Sequence, residues 1–249
     1  MIEIKNLDFA YKKELVLKNV SAAIKKGEFV GIVGPNGSGK STLIKCIAGI
    51  LSCKAETIFI NNRNIQSFHR QELAKTIAYV PQSEYGLYPV KVFDAVLMGR
   101  KPYIDWSPAK KDHAAVIKAL KILDLEDIAL SYLTELSGGQ RQRVFIARAL
   151  AQEAEILLMD EPTANMDIRH ALDVLQLLKD LSERGITVII AIHDLNFAVR
   201  YCNHIMMLQN GSLFSDGGRE IMTPENIKRL YKINVEVIQK NNHLFFIPE

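Results

Sequence analysis

Hydrophobic and polar positions change rhythm several times along this chain. Ile2, Ile4, Leu7 and Phe9 fall close to a two-residue period, then Val16-Leu17 and the unbroken run Phe29 to Val33 follow. Residues 2–33 therefore read as β-structure. Thr57 to Ile60 reads as a strand entering a turn at Asn61-Asn62-Arg63, and Ile77 to Val80 as a short buried strand stopped by Pro81. From about residue 89 to 135 the period lengthens: Val92 to Met98 predicts one helix, and Val116, Ala119, Leu120 and Leu123 predict another over His113 to Leu123. After residue 140 helix and strand alternate. Val144, Ile146, Ala147 and Leu150 mark a helix before the strand Ile156 to Met159; Ala171, Leu172, Leu175, Leu178 and Leu181 mark the next, before the strand Ile186 to Ile192. Asn210-Gly211 between apolar flanks predicts a hairpin over Ile205 to Phe214, and Thr223-Pro224 opens a last helix as N-cap and N1. Such alternation predicts an α/β domain over residues 1–249, with a parallel sheet between helices. Residues 89–139 then read as a helical insertion, dividing a core made of 1–88 and 140–249.

Bulk composition narrows the function classes. Of 249 residues, 48% are hydrophobic and 24% charged, as in an ordinary globular domain. The net charge of +3 is too small to argue for nucleic acid by itself and no long Lys/Arg block appears, so no nucleic-acid partner is expected. Cys46, Cys53 and Cys202 show no metal-ligand spacing, so buried, reduced thiols in a cytosolic protein are expected. Met1 to Lys5 alternates like a strand rather than a signal peptide, and apolar runs such as Val188 to Ile192 are far short of a membrane span. Any membrane role would need a second protein.

The chemistry is concentrated at Gly34-Pro35-Asn36-Gly37-Ser38-Gly39-Lys40-Ser41, which fits the phosphate-binding pattern G-x-x-x-x-G-K-[ST] in full. It lies between a predicted strand and the predicted helix Thr42 to Ala48. Glycines let the backbone aim several N–H groups at phosphate oxygens, and the helix adds its positive dipole end. Lys40 can reach the β- and γ-phosphates, and the Ser41 hydroxyl can hold Mg²⁺. These residues, with Thr42, predict a nucleoside triphosphate site. Ile156 to Met159 ends in Asp160-Glu161. Beside a P-loop, Asp160 would hold Mg²⁺ and Glu161 would orient or deprotonate the attacking water.

Leu136-Ser137-Gly138-Gly139-Gln140 opens a helix and ends twenty residues before Asp160. Backbone amides at such a turn can face an anion. Letter for letter it matches the signature of ABC ATPase subunits, a family this chain resembles. The resemblance implies a P-loop NTPase (RecA-like) core, an N-terminal antiparallel β subdomain and an inserted helical signature subdomain. It further implies that Tyr11 stacks on adenine, that Gln82 is the Q-loop glutamine touching Mg²⁺ or the lytic water, and that His193 is the switch histidine facing the γ-phosphate. Pro162 to Asp167 is similar to the D-loop, with Ala164-Asn165-Met166-Asp167 against the common Ser-Ala-Leu-Asp, so that Asp167 alone is retained. In that family the signature of one chain serves the ATP held by another. Ser137, Gly138, Gly139 and Gln140 would then complete a second copy's site in a head-to-tail homodimer that ATP closes.

Within the family, the segment Tyr88-Pro89-Val90-Lys91-Val92-Phe93-Asp94-Ala95-Val96-Leu97-Met98-Gly99-Arg100-Lys101-Pro102 resembles ATPases that power uptake of iron–siderophore complexes, haem and cobalamin; Asp167 to His170 and the tail Phe245 to Pro248 are similar to them too. The resemblance implies permease subunits as partners, a substrate-binding protein reached through the permease, and a peripheral place on the cytoplasmic face of the membrane. A molybdate-type importer, a stand-alone exporter subunit and a soluble ABC protein are the alternatives; the last should carry a coiled-coil insertion or tandem cassettes, and neither is seen. The aromatic-rich strip 82–106, with Tyr85, Leu87 and Tyr88 foremost, reads as a groove for a permease helix.

Overall fold

A computed structural model describes residues 1–82, 89–164, 166–240 and 243–249, with only the backbone given for Lys240 and His243. Tyr85, Leu87, Tyr88 and Asn165 lie outside the described residues. The chain forms two compact units, one of residues 1–68 and 175–249, the other of residues 69–174. In chain order the elements are β1 (Ile2–Tyr11), β2 (Glu14–Ile24), β3 (Phe29–Val33), α1 (Lys40–Ile47), β4 (Ile58–Ile60), β5 (Arg63–Asn64), α2 (Arg70–Thr76), β6 (Ile77–Val80), α3 (Val92–Leu97), α4 (Lys110–Ile122), α5 (Gly138–Ala151), β7 (Ile156–Asp160), α6 (Ile168–Glu183), β8 (Thr187–Ala191), α7 (Leu195–Tyr201), β9 (His204–Gln209), β10 (Ser212–Gly217), α8 (Pro224–Tyr231), β11 (Val235–Lys240) and β12 (His243–Pro248).

In the first unit, β2, β1, β4 and β5 form an antiparallel sheet. Its register follows the two-residue period: Ile2 faces Ile24 on one neighbour and Ile60 on the other, and all three are buried while Glu3 is exposed. The expected N-terminal antiparallel sheet is thus present. A second layer holds β3 between β8 and β9, both parallel to it, with β10 antiparallel at the β9 edge. Every residue of β3 and of β8 is buried, as the unbroken apolar runs required. The hairpin at Asn210-Gly211 joins β9 and β10 as expected, and the Thr223 hydroxyl caps α8 by accepting from Asn226 N. The β11–β12 hairpin is held on α7 by reciprocal bonds: Phe246 N donates to Asn196 Oδ1 at 2.7 Å, and Asn196 Nδ2 to Phe246 O at 3.3 Å.

In the second unit, β6 and β7 pair in parallel, Ile77 with Ile156 and Val80 with Met159, and α5 packs against α3 and α4. Helix α4 begins three residues before the expected His113, because the Asp112 carboxylate accepts from Ala109 N at 2.9 Å and closes its first turn. The expected helix at Val92 ends at Leu97 and tightens into a 3₁₀ stretch, Met98–Tyr103, containing Pro102. Arg100, 4% exposed, locks this stretch: it pairs with Asp112 at 3.0 Å and Glu153 at 2.7 Å, and donates to Ala151 O at 2.8 Å.

Candidate functional site

The first unit carries the phosphate loop. Strand β3 delivers the chain to Gly34, where a Cβ would stand 2.2 Å from the Leu208 carbonyl oxygen, so no side chain fits. Gly39, at φ 104° as N-cap of α1, lets the loop swing into the helix in a backbone conformation that a side chain resists. The hairpin turn after β9 braces the loop from outside, with Gly211 N donating to Ser38 O at 3.1 Å. Lys40 is 5% exposed, and its ammonium donates to the carbonyls of Gly34 at 2.8 Å and Pro35 at 3.1 Å. Thr42 is buried and Ser41 half-buried in the same first turn, where helix geometry leaves N–H groups for an outside acceptor. Ser38 Oγ is buried and has no hydrogen-bond partner among the described residues, an orphaned polar atom in the loop that a phosphate oxygen would satisfy. Those observations fit a nucleotide's phosphates.

Two further expected residues belong to this unit. Tyr11 closes β1, is 45% exposed, and meets Phe9 edge to face with ring centroids 5.0 Å apart. His193 follows β8 and is exposed; Asp194, next to it, caps α7 by accepting from Asn196 N at 2.8 Å and Phe197 N at 3.0 Å.

The second unit carries the carboxylates. Asp160 ends β7 and is 3% exposed. Glu161 follows at φ 52°, a left-handed conformation uncommon for a residue with a side chain. Gln82, two residues past β6, donates from Nε2 to Glu161 Oε2 at 2.6 Å. The parallel register of Val80 with Met159 brings the two strand ends level and makes that bond possible. Among the described residues no cluster of three or more His, Cys, Asp or Glu side chains could hold a metal alone. Mg²⁺ suits such a donor set, because it keeps one or two carboxylates and takes further oxygens from phosphates and water.

Ser137 and Gln140 sit in a capping box at the start of α5: Ser137 Oγ accepts from Gln140 N at 3.2 Å, and Gln140 Oε1 accepts from Ser137 N at 2.9 Å. Gly138 and Gly139 form the first turn between them. Asp167 accepts from His170 N at 2.9 Å and contacts His170 Nδ1 at 2.7 Å; the backbone bond first, then the imidazole, holds its carboxyl below the usual range. Sequence reasoning missed the bracing of the loop by Leu208 and Gly211. Asn210-Gly211 announced a turn, but nothing in the sequence tied it to residues 34–38.

The model of the ABC transporter family matches residues 17–164. An uncharacterised ABC transporter ATP-binding protein of Methanocaldococcus jannaschii is 47% identical over 238 residues, covering 95% of this chain and 93% of that one. The petrobactin import ATP-binding protein FpuC of Bacillus anthracis is 35% identical over 253 residues, covering 100% and 93%. Among solved structures, an ABC transporter provisionally assigned to the metal-chelate type, in an inward-facing conformation, superposes with a TM-score of 0.85 at 31% identity, covering 100% of this chain and 97% of that one. A dimeric ATP-binding cassette in a post-hydrolysis state with ADP and Pi gives 0.77 at 34% identity, covering 88% and 99%. With the phosphate loop, the strand-end carboxylates and the Ser-Gly-Gly helix start on one chain, this protein belongs to the ABC transporter family as an ATP-binding, ATP-hydrolysing subunit.

Proposed function

We propose that this subunit powers uptake of a metal chelate, of the iron–siderophore, haem or cobalamin kind, through a separate permease. The observation that carries the proposal is the likeness to a petrobactin import protein along the whole chain. In this reading Tyr11 stacks on adenine, the backbone from Gly34 to Thr42 wraps the phosphates, and Lys40 moves its ammonium from loop carbonyls to phosphate oxygens. Ser41, Asp160 and Gln82 would hold Mg²⁺, which would offset phosphate charge. Glu161 takes a proton from water as its oxygen attacks the γ-phosphorus and the bond to the β-phosphate bridging oxygen breaks. His193 steadies the γ-phosphate. Ser137 to Gln140 and Asp167 serve the nucleotide of a second copy, arranged head to tail.

No helix among the described residues is long and apolar enough to cross a membrane. In this reading the chain attaches peripherally, at the cytoplasmic face, by gripping its permease. An open cleft of about 380 Å³, lined by Arg70, Gln71, Ala74, Met98, Lys101 and Gln152, supports that reading, as does Met98 at 55% exposure beside it. The substrate-binding protein is met only through the permease. The test is reconstitution in proteoliposomes with a multi-helix permease of the metal-chelate importer type. Uptake of a ferric siderophore, haem or cobalamin that requires ATP supports the reading. Uptake of molybdate instead, or outward transport, defeats it.

A further inference from the structure

We propose that the outward face of α4, with Trp106 ahead of it, is a contact surface for the anionic headgroups of a bilayer. Trp106 is the single tryptophan of the chain and is 100% exposed. Lys101 and Pro102, which precede it by a few residues, line the cleft that grips the permease in the proposed function, and the orientation of this surface rests on that reading. Helix α4 is fixed to the same place. Asp112, in its first turn, takes the Arg100 guanidinium at 3.0 Å, and Arg100 belongs to the 3₁₀ stretch Met98–Tyr103 that forms one wall of the cleft.

The face itself is basic and interrupted by apolar side chains. Lys110, Lys111, Ala114, Ile117, Lys118 and Lys121 recur at helical spacing and are all exposed, Ile117 at 54%. Asp112, Val116, Ala119 and Leu120 turn inward. A helix face that is merely solvated commonly pairs its lysines with acids four positions away. Here the positions four from these lysines, within the helix, hold Ala114, Ala115, Ile117 and Ile122, and the one acid of the helix, Asp112, is 1% exposed. Asp105 beside Trp106 is exposed, and Asp124, Glu126 and Asp127 lie past the far end of the helix.

That combination matches a membrane surface better than a protein partner. Lysine is a residue that protein interfaces are depleted in, whereas a bilayer interface accepts its long apolar stem and lets the ammonium reach lipid phosphates. An indole left in solvent gains by entering the headgroup region, where its ring and its N–H are both accommodated. The charge is complementary too: Lys101, Lys110, Lys111 and Lys118 stand against the single exposed carboxylate of Asp105 at this end of the helix. Anionic lipids of the cytoplasmic leaflet attract such basic segments within a Debye length, about 8 Å at physiological salt. The contact holds the subunit against the bilayer beside the cleft.

A lone tryptophan makes the test direct, because all indole emission comes from Trp106. Emission of the full-length chain, without permease, is followed as vesicles are added. Phosphatidylglycerol vesicles should shift it to shorter wavelength, and bromine in their acyl chains near the headgroup should quench it. Phosphatidylcholine vesicles should do neither, and added salt should reverse the shift. Lys110→Gln, Lys111→Gln and Lys118→Gln should each weaken co-sedimentation with phosphatidylglycerol vesicles about 5-fold, at an unchanged ATPase rate. Unmoved emission, equal binding to both lipids, or variants that sediment like the native chain would overturn the proposal. So would emission that moves only in phosphatidylcholine proteoliposomes holding the permease, which assigns Trp106 to a protein partner. Vesicle binding and substrate uptake are separate readouts, so either reading can fail without the other.

Discussion

Gln82 and Glu161, seventy-nine positions apart, are joined by a 2.6 Å hydrogen bond from the amide to the carboxylate. The bond spans the ends of two parallel strands, so Glu161 is aimed by β6 as well as by its own left-handed backbone. A glutamine in its place keeps an oxygen that can still accept from Gln82, but loses the basicity. Glu161→Gln should therefore bind ATP normally and hydrolyse it at least about 100-fold more slowly. It should also accumulate as an ATP-dependent dimer in size-exclusion chromatography. An unchanged turnover rate would remove Glu161 from proton abstraction.

Lys40 can be tested apart from the carboxylates. Its ammonium is buried and doubly bonded to the loop, so Lys40→Ala removes both a phosphate ligand and two internal hydrogen bonds. Nucleotide affinity should fall by roughly 10- to 100-fold, the range for loss of a charged hydrogen bond, and activity should vanish. Titration with a fluorescent ATP analogue reads the first effect; normal binding would sink the phosphate-loop assignment.

The head-to-tail dimer is accessible to crosslinking. Ser38→Cys combined with Ser137→Cys, in a chain whose natural Cys46, Cys53 and Cys202 are alanine, should give disulfide-linked pairs of chains on a non-reducing gel. Pairs should form with ATP under non-hydrolysing conditions and be sparse with ADP. Links confined to single chains would exclude an exchange of signature turns.

A pH effect on stability follows from His204. Its Nε2 lies 2.6 Å from Asp216 and its Nδ1 2.9 Å from Glu28, and these carboxylates, Asp216 foremost, raise its pKa to about 8 against the opposing effect of burial. The folded value lies above the unfolded one, near 6.5, so the charged ring stabilises the fold fully below pH 6.5 and the benefit fades as pH passes 8. Urea unfolding at pH 6 and pH 9 should differ by on the order of 1–2 kcal/mol more in the native chain than in His204→Gln. An identical difference in both would show that the two carboxylates do not hold the ring charged.

Where function rests on contiguous residues it was readable from the sequence. Gly34 to Ser41 and Leu136 to Gln140 declare their turns locally, because glycine and capping residues act over four or five positions. What could not be read depended on distant partners. Helix α2 went unrecognised because it buries none of its residues, leaving no apolar stripe to betray it. The β11–β12 hairpin was hidden for the opposite reason: Ile238, Phe245 and Ile247 are exposed apolar residues beside buried Val235 and Phe246, which blurs the alternation. The Gly211 clasp on Ser38 and the Gln82–Glu161 bond arise only when strands settle in register.

The loop's own lysine already occupies the place from which a ligand might have shaped it. Holding two carbonyls inward, it acts as a built-in template, and in the proposed reading nucleotide binding exchanges one set of acceptors for another. Those bonds engage carbonyls and leave loop amides to an outside acceptor, so amide exchange over residues 36–41 should slow when nucleotide binds.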